Sequence, residues 1–176
     1  FKKGNRIVGH NTDIAGFELA IRHVKYDLEG KKVLILGAGG VVPSIIYALQ
    51  KFKTNKIILI NRTMSKAEEI KKRFNNIQIK EWGSETEFDF IINATSLGLK
   101  ESDQIKINFD KIGKNKFFFD VIYNPRETNF LKMAKINNHK GENGLMMFIY
   151  QAHQAFTLWH KVMPIIDDKL INFINK

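Results

Sequence analysis

Short apolar runs alternate with amphipathic stretches along this chain. Residues 33–36 (Val33, Leu34, Ile35, Leu36) are wholly apolar, and so are residues 57–60 (Ile57, Ile58, Leu59, Ile60). Runs so short and so continuous suit strands buried on both faces of a parallel sheet. Three more strand candidates follow at 77–79, 90–92 and 117–121. Residues 7–10 are a short extended piece. Between the strands the apolar positions take up a helical period. Residues 14–24 place Phe17, Ile21 and Val24 on one face, behind Thr12 and Asp13 as N-cap types. Residues 41–52 read as a helix, with Pro43 tolerated in its first turn. Residues 65–74 read as a charged helix with Ala67, Ile70 and Phe74 facing inward. Thr128 caps a helix to about residue 135, and 145–159 form a long apolar helix. Pro164 starts a last helix, carrying Ile165, Leu170, Ile171 and Phe173. Residues 28–31 and the polar segment 140–144 read as turns.

Strands alternating with helices predict an α/β fold: a doubly wound parallel sheet of the Rossmann-like kind, with right-handed crossovers and helices on both faces. The 176 residues amount to one ordinary domain, or one and a fraction. Hydrophobic residues make up 44% and charged residues 26%, a globular balance. The absence of Cys excludes disulfides and thiolate metal sites and fits a reducing, cytoplasmic setting. His10, His23, His139, His153 and His160 show no metal-ligand spacing with acids, so no metal is expected. No apolar run approaches a membrane span, and residues 1–6 do not resemble a signal peptide. The net charge of +10 comes from basic residues spread along the chain rather than gathered in a stripe. That reads as a solvated basic surface whose field favours small anions. Neither a nucleic-acid nor a membrane partner is expected. Nucleic-acid binding driven by charge would show itself by a steep salt dependence.

Gly37-Ala38-Gly39-Gly40 follows the first buried strand and precedes a helix, with Val41 next. A dinucleotide fold needs glycines at this place: one for the tight turn, another so that backbone can approach a pyrophosphate at the helix N-terminus. The third position of the G-x-G-x-x-G pattern is Val42, which would crowd the helix against the sheet. The second strand ends in Asn61-Arg62-Thr63, where NAD-specific folds carry an acid for the ribose 2′-hydroxyl. Arg62 could instead fork onto a 2′-phosphate, with Thr63 and Lys66 in reach. NADP is therefore the expected cofactor. Asp13 by itself could be no more than a helix cap.

An ordered set of motifs carries a resemblance. It comprises Gly9-His10-Asn11-Thr12-Asp13, Gly37-Ala38-Gly39-Gly40, Asn61-Arg62-Thr63, Asn93-Ala94-Thr95-Ser96-Leu97-Gly98, Asp120 through Asn124-Pro125, and Gly144 through Gln151-Ala152. Taken together the chain resembles the shikimate dehydrogenase family, from the end of its substrate domain to its C-terminus. The resemblance implies NADPH-dependent, reversible reduction of 3-dehydroshikimate to shikimate, a small anionic substrate. It implies that Asp13 is catalytic, binding a substrate hydroxyl and holding a partner Lys. That Lys would lie N-terminal to this sequence, so the fragment alone is expected to be inactive. Thr95, Ser96 and Leu97 would line the nicotinamide-ribose side, with Val121, Gly144 and Met147 near the nicotinamide. Tyr123 and Gln151 would face the substrate, Gln151 one helical turn beyond Met147. The expected division is 1–13 as the substrate-domain tail, 14–30 as an inter-domain helix, 31–163 as the NADP-binding domain and 164–176 as a helix packing toward the substrate domain. The oligomeric state is left at monomer or homodimer. Two rivals stay open: a quinate/shikimate dehydrogenase using NAD or both cofactors, and a non-catalytic nucleotide-binding regulatory domain. An acid at the second strand end would favour the first. Retention of Asp13, Tyr123 and Gln151 argues against the second.

Overall fold

A computed structural model describes residues 1–174. A small antiparallel hairpin, β1 (Lys2–Lys3) and β2 (Arg6–Ile7), opens the chain. Next come α1 (Asp13–His23), β3 (Lys32–Leu36), α2 (Val42–Lys51), β4 (Lys56–Asn61), α3 (Met64–Arg73) and β5 (Ile77–Glu81). The second half holds β6 (Phe90–Asn93), β7 (Phe117–Asp120), α4 (Asn129–Ile136), β8 (Lys140–Glu142), α5 (Leu145–His160) and α6 (Asp168–Ile174). Strands β3 to β8 are all parallel, in the order β5-β4-β3-β6-β7-β8. The chain thus winds outward from β3 in one direction and then in the other. That reversal puts a switch point between β3 and β6, and ligands of such sheets bind outside the strands' carboxyl ends there.

The apolar runs are continuous because the sheet is buried on both sides. Val33, Ile35, Ile57, Leu59, Phe90, Ile92, Phe117 and Phe119 face a layer built from α1, α2, α3 and α5. Phe17 of α1 meets Phe119 edge to face at 5.4 Å, and Phe90 stacks flat on Phe117 at 5.1 Å. The alternate residues Leu34, Leu36, Ile58, Ile60, Ile91 and Phe118 face the other way. There the cover is Phe130, Leu131 and Ala134 of α4 together with loop residues Phe88, Ile105, Ile107, Phe109 and Ile112. The doubly wound architecture is as expected, but it is lopsided, because the crossovers at 82–89 and 94–116 carry no helix. In the second of these, Ile105, Ile107 and Phe109 alternate with polar residues, a period that cannot make a helical stripe.

Three local expectations are corrected. Residues 140–142, expected as part of a turn, form the edge strand β8, with Lys140 opposite Phe117 and Glu142 opposite Phe119. An edge strand needs no apolar run, so its polar sequence hid it. The last helix starts at Asp168, not at Pro164. Lys161 ends α5 in a left-handed conformation, His153 Nε2 bonds the Pro164 carbonyl at 2.9 Å, and Asp167 Oδ1 accepts the Leu170 N–H at 2.9 Å. Ile171 packs on the core, whereas Ile165 and Phe173 are largely exposed. Finally, neither Thr12 nor Asp13 caps α1. Asn11 Oδ1 accepts the Asp13 and Ile14 N–H groups at 3.0 and 3.3 Å, and Asp13 is the first helical residue. Thr128, by contrast, does cap α4 through the Leu131 N–H. Among the described residues no helix is long and apolar enough to cross a membrane.

Candidate functional site

The turn after β3 lies beside the switch point. Gly37 has φ +103°, and a Cβ there would stand 2.6 Å from the Ala94 carbonyl, so only glycine fits. Its N–H donates to the Ile60 carbonyl at 2.8 Å, which ties the turn to β4. Gly39 and Gly40 show the opposite situation. A Cβ at Gly40 would meet nothing within 4 Å, and at Gly39 the nearest atom would be 3.8 Å away. Space is therefore left above backbone. Helix α2 then begins with no side-chain cap and no acid in its first turn, leaving its positive end free for an anion. Val42 is fully buried in the core between α2 and the sheet, so the predicted crowding is absorbed as packing.

At the end of β4, Asn61 Nδ2 donates to the Thr63 carbonyl at 2.7 Å and folds the chain toward α3. Thr63 is the N-cap residue, yet its hydroxyl makes no capping bond, and the first turn of α3 carries no acid. Arg62, Thr63 and Lys66 are exposed. Among the described residues neither cation has a salt-bridge partner. Two cations at the positive end of a helix repel that end unless an anion joins them. Gly37, Ala38, Gly39, Asn61, Arg62, Thr63, Lys66, Thr95, Ser96 and Leu97 all line one open groove of about 1640 Å³. This groove runs on over the sheet face that lacks crossover helices. Gly40 and Val41 sit beside the groove without lining it.

A buried polar cluster fixes the loop after β6. Asn93 and Asp120 end neighbouring strands in register, and both are fully buried. Asn93 Nδ2 donates to Asp120 Oδ1 at 3.0 Å and to the Leu97 carbonyl at 2.9 Å. Asn93 Oδ1 accepts from the Thr95 N–H and the Thr95 hydroxyl at 3.1 and 2.7 Å. Thr95 Oγ1 in turn accepts the Leu97 N–H at 3.0 Å, so this hydroxyl is engaged within the turn. Asp120 also accepts the Ile122 N–H at 3.0 Å and the Thr128 hydroxyl at 2.6 Å. Burial pushes the Asp120 carboxyl above the usual carboxylate range, opposed by the bonds from Thr128, Ile122 and Asn93. Neither Asn93 nor Asp120 is assigned a role by local pattern. The signal was a polar residue ending an otherwise apolar strand, Asn93 after Ile92 and Asp120 after Phe119.

The remaining predicted site residues lie on α1, on α5 and at the exit of β7. A Cβ on Gly16 would stand 2.8 Å from the Met147 carbonyl and 3.0 Å from Gln151 Cβ, so the two helices touch at backbone distance. Asp13 lies three residues before Gly16, on the same side of α1. Its segment is anchored to α2 by Asn11 Nδ2 donating to Ser44 Oγ at 2.9 Å. Gly144 is pressed against the Val121 carbonyl and donates its N–H to the Ile122 carbonyl at 3.0 Å. Met147 is buried in the core. Tyr123 is partly exposed and stacks on Phe148 at 4.5 Å. The structure thus places one set of predicted residues along the groove, and the others on the α1–α5 pair and at the β7 exit.

A parallel sheet with an open glycine turn at its switch point defines a doubly wound α/β domain of the Rossmann class. A family model described as shikimate / quinate 5-dehydrogenase matches residues 18–140. The chain belongs to that family. It is 56% identical over 175 residues to the shikimate dehydrogenase (NADP(+)) of Pelagibacter ubique (strain HTCC1062), covering 99% of this chain and 66% of that protein. The chain therefore spans just under two thirds of that relative's length. The crystal structure of shikimate dehydrogenase from Aquifex aeolicus is similar over 93% of this chain and 60% of its own, at TM-score 0.80 and 32% identity. Quinate dehydrogenase from Corynebacterium glutamicum, solved in complex with NAD, is similar over 96% of this chain and 63% of its own, at TM-score 0.82 and 25% identity.

Proposed function

We propose that this chain supplies the NADP(H)-binding half of a shikimate dehydrogenase. The observation that carries the reading is the end of β4. Among the described residues, Arg62 and Lys66 have no carboxylate partner, and with Thr63 they stand at an uncapped helix start beside the open Gly39-Gly40 backbone. A dinucleotide with a 2′-phosphate fits this set. Its pyrophosphate would lie over the glycine turn at the start of α2, and its 2′-phosphate against Arg62, Thr63 and Lys66. The Pelagibacter relative's name, with NADP(+) in it, supports the same choice. When bound, NADPH supplies the hydride that reduces a ring ketone.

The protein's own residues would bind and orient the reactants. Thr95, Ser96 and Leu97 would line the nicotinamide-ribose side, held by Asn93. Val121, Gly144 and Met147 would border the nicotinamide end. Asp13 would accept a hydrogen bond from a substrate hydroxyl and hold a partner Lys, which the resemblance places N-terminal to this sequence. Tyr123 and Gln151 would meet other substrate hydroxyls, Gln151 as both donor and acceptor. By itself this stretch is proposed to bind the cofactor and turn over poorly, because a positioned acid–base group contributes about 10²–10⁴-fold.

The test joins this chain to the N-terminal third of the Pelagibacter relative and follows shikimate oxidation with NADP⁺. Activity is expected, and Asp13→Asn should lose about 10²–10⁴-fold in turnover with cofactor affinity unchanged. An inactive but folded joined protein would sink the activity. Near-normal turnover of the variant would remove Asp13 from it.

A further inference from the structure

Trp82 follows β5 at the carboxyl edge of the sheet. The last residue of β5, Glu81, is in register with Asn61 of β4. Trp82 and Arg62 therefore leave neighbouring strands at the same level, the strands lying about 4.8 Å apart. The chain then turns sharply, with the Ser84 N–H donating to the Glu81 carbonyl at 3.1 Å. Trp82 and Gly83 form the corner, and Gly83 has φ +87°, the conformation that the third position of a type II turn requires. The loop beyond is tied back by Lys80, whose Nζ donates to Thr86 Oγ1 at 2.9 Å and to the Glu85 carbonyl at 3.3 Å.

Nothing in this turn needs an indole. Its bonds run through the backbone of Glu81 and Ser84 and the side chain of Lys80, and the special conformation falls on Gly83. Yet the position holds the largest side chain available, 40% exposed, lining the same groove as Gly37–Gly39, Arg62 and Lys66. The half-exposed Tyr123 has Phe148 stacked on it. Trp82 has no aromatic or cation partner among the described residues. It is a flat apolar surface, held by a rigid corner, at the mouth of a groove whose neighbouring strand end carries two cations with no salt-bridge partner among the described residues.

We propose that Trp82 is the stacking platform for the purine ring of the dinucleotide, beside the Arg62–Thr63–Lys66 group that meets the adjoining ribose phosphate. This rests on the groove taking NADP(H), as argued above. A base laid on the indole gains a sequence-independent stacking contact, and the rigid turn means that little ordering accompanies binding.

The chain has two tryptophans, Trp82 and Trp159, the second 66% exposed near the end of α5. Trp159→Phe leaves Trp82 as the single indole reporter. This variant is titrated with NADP⁺, with 2′,5′-ADP and with nicotinamide mononucleotide, while calorimetry follows binding independently. NADP⁺ and 2′,5′-ADP should both quench the indole emission, and the mononucleotide should not. Trp82→Ala should weaken NADP⁺ and 2′,5′-ADP about tenfold, and Trp82→Phe should recover most of the loss. Unchanged far-UV circular dichroism would show that Trp82→Ala is folded. Calorimetric NADP⁺ binding with unchanged Trp82 emission, or equal affinities for wild type and Trp82→Ala, would overturn the platform and leave the cofactor reading standing. Absence of any NADP⁺ binding would overturn both.

Discussion

Replacing Thr128 by Val removes a single buried hydroxyl and keeps the side chain's shape. That hydroxyl donates to Asp120 Oδ2 at 2.6 Å and accepts the Leu131 N–H at 3.4 Å, with Thr128 only 2% exposed and Asp120 not at all. The short bond to a carboxylate is of the charge-assisted kind, about 1.5–3 kcal/mol. The cap is long and belongs at the low end of its range, roughly 0.5–1 kcal/mol. The Asn93 and Ile122 donors both serve Oδ1, so the substitution leaves Oδ2 buried without a donor. The total is about 2–4 kcal/mol, which for a chain of this length is roughly 5–15 °C in Tm. Urea and thermal unfolding measure it, and Thr128→Ser should restore most of the loss. In an Asp120→Asn background the same substitution should cost only about 1 kcal/mol, because the charged acceptor has gone. The deficit should also depend on pH. Burial already raises the Asp120 carboxyl, and losing a donor raises it further. The folded variant then binds more protons than the folded wild type, so its deficit grows as pH rises from the wild-type folded value toward the higher value of the variant. A cost below about 1 kcal/mol for Thr128→Val, or an equal cost in both backgrounds, would refute the charge-assisted network.

Gly37→Ala forces a Cβ against the Ala94 carbonyl at φ +103°. It should destabilise the fold by about 2 kcal/mol or more in urea and abolish cofactor binding; a neutral, binding-competent variant would contradict the turn's role. His139 Nδ1 accepts the Lys116 N–H at 3.3 Å, and burial, then the Lys116 charge, holds its pKa below the usual value. Its stabilising contribution is complete above about pH 6.5 and is lost as pH falls through the lowered folded value. His139→Gln should therefore lose less Tm between about pH 7.5 and 5 than wild type does, and parallel profiles would remove His139 from the pH response.

Much of this was legible in the sequence, for reasons that name particular residues. Strands β3 and β4 announce themselves because Val33 to Leu36 and Ile57 to Ile60 are buried on both sides and must be wholly apolar. The glycine turn and Arg62 stand out because they fall between such a strand and a helix. The three-residue β8 was hidden, since Lys140 and Glu142 need no apolar partner at a sheet edge. Asn11, Thr12 and Asp13 are all capping types, and only the bend of the chain selects Asn11. The Asn93–Asp120 pair joins residues 27 apart through strand register, and Trp82 comes beside Arg62 in the same way. Register between distant strands is set by the whole sheet, not by any local pattern.

The end of β4 is proposed to select a dinucleotide bearing a 2′-phosphate. Calorimetric titration of the chain and of Arg62→Ala with NADP⁺ and with NAD⁺ decides whether it does. Wild type should prefer NADP⁺. Arg62→Ala should weaken NADP⁺ by about 10–100-fold, the size of one lost charge-assisted pair, and leave NAD⁺ nearly unchanged. An equal loss for both dinucleotides, or no preference in the wild type, would contradict the claim.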